Sequence, residues 1–120
     1  MSSDQHKQDQ VNPEAAVEKL LTADVVTLAA HAFVATFTGV KLGHTVGSGR
    51  VRRWLVLEFG KPSWTEEATY AFDAVTDEIK LIFERARVAS RQSSGQLMLL
   101  PRGVQLLDAP DPVEALREFL

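Results

Sequence analysis

The segment "PSWTEEATYAFDAVTDEIKLIFERARVAS", residues 62–90, constrains the fold more than any other part of this chain. Ala68, Phe72, Val75, Ile79, Ile82, Ala86 and Ala89 recur at steps of three and four, the spacing of one helical face. Glu66, Asp73, Asp77, Lys80, Glu84 and Arg91 fall on the opposite face. Ser63 precedes Glu66 by three residues, a capping box. Acids (Glu66, Glu67) fill the first turn and arginines (Arg85, Arg87, Arg91) the last, matching the helix dipole. The spacing predicts one helix from Ser63 to about Arg91, roughly 25 residues and 38 Å long at 1.5 Å per residue.

That helix carries more apolar circumference than one sheet can cover. Tyr70, Ala74, Leu81 and Val88 form a second stripe beside the main face, and Phe83 widens it on the other side. A helix packed on its own sheet needs a stripe of roughly 100°. The surplus predicts either cover by the terminal helices or a contact with a second chain, and a two-fold homodimer is the commonest such assembly.

The flanking segments read as follows. "NPEAAVEKLL" places a cap at Asn12 and proline in the first helical position, so a helix begins there. "TADVVTLAAHAF" offers Asp24 as a second cap, although paired valines suit helix and strand alike, so residues 24–31 stay undecided. "AFVATFTGV" alternates in period two and predicts a strand; "VRRWLVLEF", Val51–Phe59, predicts another. Together they predict an antiparallel hairpin around a glycine-rich loop, centred on residues 41–53. "QLMLL" and "VQLLD" predict two short strands about Pro101 and Gly103, and "DPVEALREFL" predicts a capped C-terminal helix. The expected fold is α+β: a single domain over residues 12–120, with an antiparallel sheet of hairpin strands on one long helix and helices at both ends. Residues 1–11, "MSSDQHKQDQV", lack an apolar stretch and are expected to form a disordered tail.

The totals limit function. With no cysteine among 120 residues, thiolate metal sites and cysteine nucleophiles are excluded. No apolar run approaches the 18 or so residues of a membrane helix, and a reducing, cytoplasmic setting is expected. The net charge of −3 argues against bulk nucleic-acid binding. No histidine has a second at ligand spacing, so neither a metal site nor a cofactor is expected.

The basic residues nevertheless segregate. In "GVKLGHTVGSGRVRRW", Lys41, His44, Arg50, Arg52 and Arg53 occur without an acid, and Arg85, Arg87, Arg91 and Arg102 form a second acid-free group. Merged, the two groups would attract a phosphate or carboxylate ligand, and Trp54 could stack a base. The plainer account makes Trp54 core and pairs the arginines with Glu66, Glu67 and Asp73. The glycine-rich stretch is not a P-loop: its spacing is one residue too long, arginine replaces lysine, and a strand was expected to follow. His31 lies in an apolar setting that suits a structural histidine. Asp73 and Asp77 share a solvated face with Lys80 and Glu84. His44, in the loop, and Glu58, expected to be half-buried on a strand, remain the catalytic candidates.

Three functions follow, in order of support. The first is a small non-catalytic protein-interaction or scaffold module, homodimeric, using Tyr70, Ala74, Leu81 and Val88 at its interface. The second is a nucleic-acid or phosphate-ligand binder using Lys41, His44, Arg50, Arg52 and Arg53. The third is a small enzyme or ligand-binding protein with a pocket between sheet and long helix.

Overall fold

The long helix forms where the apolar period demands it, and other elements are arranged around it. The computed structural model describes residues 13–60 and 64–120; the expected tail, the Asn12 cap and Ser63 lie outside them. The elements are α1 (Pro13–Thr22), α2 (Val25–Phe37), β1 (Thr45–Val46), α3 (Arg50–Phe59), α4 (Glu66–Ala86), β2 (Ala89–Arg91), β3 (Leu97–Leu99), α5 (Pro101–Asp108) and α6 (Pro112–Phe119). The class is α+β, as expected, with an antiparallel three-stranded sheet in the order β1-β3-β2.

Helix α4 spans 21 residues, shorter than the sequence period suggested. Its N-cap is Thr65, whose hydroxyl accepts from the Ala68 N–H. Its end is set by Arg87, which turns into the left-handed region at φ 58° and donates its N–H to the Glu84 and Phe83 carbonyls. Val88 then donates to the Phe83 carbonyl, closing a Schellman-type end. The chain leaves as β2, so Ala89 and Arg91 belong to a strand and not to the helix.

Three expected strands are helical. Residues 32–37 continue α2, which Asp24 caps by accepting from the Thr27 N–H. Phe33 and Phe37, four apart, satisfy the helical period as well as alternation, and Leu28, Ala29, Ala32 and Thr36 complete the helical face. Val51–Phe59 lies in α3: Val51 and Leu55 are buried at i and i+4, a spacing that an alternating reading overlooks. "VQLLD" lies in α5, which starts at Pro101 and buries Gly103 and Leu106 one turn apart. The hairpin expected around residues 41–53 therefore does not form. Only Thr45–Val46 is a strand, and it pairs with β3 (Thr45 opposite Met98, Val46 opposite Leu97). The hairpin that does form is β2–β3, with Ser90 opposite Met98.

Helix α4 packs against α1, α2, α3 and β2, while α6 packs on α2 and α5. At the centre Phe33 stacks on Phe37 at 4.7 Å, and Phe83 of α4 meets Phe33 edge-on at 5.3 Å. All three rings are fully buried. Burial of each contributes about 1.5–3 kcal/mol, with a further ~0.5–1.5 kcal/mol from the aromatic geometry of each pair. This cluster joins α2 to α4 and fixes which face of α4 points outward.

Candidate functional site

The outward face of α4 follows from that packing. Tyr70 and Leu81 stand 64% and 45% exposed, and Ala74 between them is also exposed. At 100° per residue these three lie within about 40° of one another. The fourth residue expected here, Val88, is fully buried. The left-handed Arg87 turns the backbone inward before it, so Val88 belongs to the core and not to this face.

At the C-terminal end of the seam the surface becomes concave. Val25 and Val26 of α2, Leu81 and Ile82 of α4, and Leu120 line a groove of about 590 Å³, with Glu78 and Arg85 at its edge. Next to Val25, Arg117 Nη2 of α6 lies 2.6 Å from Asp24 Oδ2 at the start of α2. The same carboxylate accepts from the Thr27 hydroxyl at 2.6 Å. That hydrogen bond, and after it the Arg117 guanidinium, hold Asp24 below the ordinary carboxylate range. The groove was not readable from sequence, because its walls lie more than ninety residues apart. Its one local signal was the Val25-Val26 pair after the Asp24 cap, where paired β-branched side chains leave an apolar step at the first turn.

Acids border the seam. Helix α4 contains Glu66, Glu67, Asp73, Asp77, Glu78 and Glu84 against Lys80 and Arg85. Some are engaged: Tyr70 donates its hydroxyl to Glu66 at 3.0 Å, Arg52 pairs with Asp73 at 2.7 Å, and Arg91 pairs with Glu84 at 2.8 Å. Glu67, Asp77 and Glu78 have no ion pair within 4.0 Å among the described residues.

The basic residues are dispersed by comparison. Arg52 lies between Asp73 and the Trp64 ring, its guanidinium 4.8 Å from the ring centroid. Arg102 lies over Phe119 at 5.4 Å and donates to the Ala86 carbonyl. Lys41, His44, Arg50 and Arg53 are exposed around the loop and the start of α3. One contact lies between the two basic groups without joining their members. Lys80 donates to the Ser48 carbonyl at 2.9 Å, and the β2–β3 turn approaches the same loop at Gly95. Burial, and secondarily the Arg91 charge, hold Lys80 below the ordinary lysine range. Trp54 is half-buried on α3 and packs on the core.

The catalytic candidates do not assemble. Glu58 is exposed on α3, because the strand that would have half-buried it is a helix. His44 is exposed in the loop, its backbone N–H bonded to the Lys41 carbonyl and its carbonyl to the Leu99 N–H. Neither lines the groove. Among the described residues no three His, Asp or Glu side chains gather as metal ligands, and no single helix is long and apolar enough to cross a membrane. No family model, curated protein or solved structure matches this chain.

Proposed function

We propose that this chain is a small, non-catalytic protein-interaction module whose docking surface is the outer face of α4 with the groove at its end. One observation carries the reading: an apolar seam on the 21-residue helix α4 runs into a concave, largely apolar groove edged by Glu78 and Arg85. This arrangement suits a buried hot-spot core surrounded by a wet edge. Photo-crosslinking in the native host tests it. A photoreactive residue at position 81 should give a discrete adduct that Tyr70→Asp abolishes, while the same probe at exposed Gln105 of α5 should not. Equal labelling at both positions, or none at 81, refutes the proposal.

A second reading rests on a separate observation. The succession α3, a short connection, α4, then a β-hairpin has the element order of a helix–turn–helix, in which the second helix would enter a major groove. Lys41, Arg50 and Arg53 would then contact phosphates. Against it, the exposed side of α4 is lined with carboxylates, which phosphates repel. Binding to a 20-base-pair duplex at 50 mM salt that collapses by 200 mM would favour this reading; no binding at 50 mM would eliminate it.

A further inference from the structure

We infer that the occupant of the α4 face is a basic amphipathic helix of a partner protein. The inference rests on the interaction reading above and adds the chemistry of the partner.

The seam from Tyr70 to Leu81 covers twelve residues, about 16 Å along the helix, and then drops into the groove between Val26, Ile82 and Leu120. A partner helix laid along it meets Tyr70 and Ala74 on successive turns and Leu81 two turns further on, with Asp77 and Glu78 on the turn between, an interrupted form of helix-in-groove recognition. The flanks decide the partner's charge. Glu67 and Glu78 lie on one side of the seam and Asp77 on the other, none ion-paired among the described residues. Among the described residues Arg85 is the one cation lining the groove, and Lys80, beyond Asp77, is turned onto the Ser48 carbonyl. A helix with lysines or arginines on both flanks of its apolar stripe complements that pattern, and an acidic helix is repelled by it.

The same charges disfavour a second copy of this chain on this face. An antiparallel two-fold pairing that sets Tyr70 over Leu81 also sets Glu78 opposite Asp73 and buries Asp77 against Ala74. Carboxylates from both copies would crowd the centre, with only Arg85 at each end to offset them. Desolvating such a cluster costs more than the seam contributes.

The experiment uses the full chain and two designed probes, fluorescent helical peptides with identical leucine stripes, one flanked by lysine and one by glutamate. Fluorescence anisotropy at 50 mM salt should show the lysine peptide binding at least tenfold tighter. Leu81→Asp separates seating from bulk attraction, since it adds negative charge: seated binding falls at least tenfold, whereas non-specific attraction holds or rises. Asp77→Lys with Glu78→Lys should narrow the preference between the two peptides about tenfold. Circular dichroism confirms that each variant is folded. If both peptides bind equally and Leu81→Asp abolishes both, the face is a docking site but the charge inference is wrong. If sedimentation shows a dimer that Leu81→Asp dissociates, a second copy is the occupant and the inference is overturned. If Leu81→Asp changes neither peptide binding nor sedimentation, the interaction reading itself fails.

Discussion

Replacing Gly103 with alanine should destabilise the protein, against the usual rule for helices. Gly103 is a buried residue inside α5, where alanine is ordinarily favoured by about 1 kcal/mol. A Cβ at this position would lie 2.3 Å from the Val88 carbonyl oxygen, 2.6 Å from Leu99 Cδ1 and 2.8 Å from Phe33 Cζ. The phenyl and leucyl groups can yield only by disturbing the central aromatic cluster. The carbonyl oxygen is backbone, and it already accepts the Leu100 N–H at 3.1 Å. Relief therefore requires α5 to move off the end of β2. Overpacking costs about 1–3 kcal/mol, and a clash with backbone belongs at the upper end. Subtracting the propensity gain leaves a net loss of about 2 kcal/mol, or a melting temperature lower by roughly 8 °C for a chain of this size. Urea unfolding followed by tryptophan fluorescence measures the free energy directly. An unchanged or raised midpoint would show that α5 does not sit this close, and the account of how α5 and α6 are held would fail with it.

Other substitutions test separate parts of the structure. Thr36 is buried with its hydroxyl lacking a partner among the described residues, so Thr36→Val should stabilise by about 1 kcal/mol; a loss in the melting temperature would reveal a missed hydrogen bond. Arg87 occupies the left-handed region, so Arg87→Gly should stabilise by about 1 kcal/mol, read by chemical denaturation; destabilisation would place its side chain in a contact that outweighs the backbone strain. Asp24 is held below its ordinary value of 3.8, first by Thr27 and then by Arg117. A depressed carboxylate contributes stability that is present above its unfolded value and lost as pH falls through its folded one. Asp24→Asn keeps a capping side chain but not the charge, so its melting temperature should lie below wild type at pH 7 and converge with it as pH falls from about 5 to 2. A gap that stays constant with pH would refute the linkage.

What the sequence revealed was what depends on one clear period. Over residues 66–86 no competing alternation exists, so the helix, its buried face and its outward stripe were all legible from spacing. Where two periods coincide, the local pattern has no unique solution. Phe33 and Phe37 fit alternation and the helical repeat equally, and so do Val51, Leu55 and Phe59. Tertiary packing breaks the tie: the phenylalanines reach Phe83 only if α2 is helical, and the four-residue spacing of Val51 and Leu55 buries both only if α3 is. Glu58 moved into solvent for the same reason, since the face that a strand would have half-buried is the outer side of a helix. Val88 was misplaced by two residues of helix length, because a left-handed arginine gives no signal in a pattern of apolar positions.

The surplus apolar surface of α4 survived these corrections in part, Tyr70, Ala74 and Leu81 remaining outside while Val88 and Phe83 are fully buried. Tyr70, Ala74 and Leu81 are exposed whatever covers the opposite side, since the buried face is filled by Ala71, Phe72, Val75, Ile79 and Phe83. What sequence could not supply was the groove's far wall. There Leu120 lies beside Val25 and Val26, where α6 packs on α2 with Leu116 fully buried, and Asp24, which caps α2, also binds Arg117 of α6. Surface ion pairs of this kind contribute little to global stability. This one ties α6 to the start of α2, beside a core contact that the buried Leu116 already makes. Arg117→Ala should accordingly cost no more than about 1 kcal/mol by urea unfolding; a larger loss would show that the pair, and not the burial of Leu116, holds α6 in place.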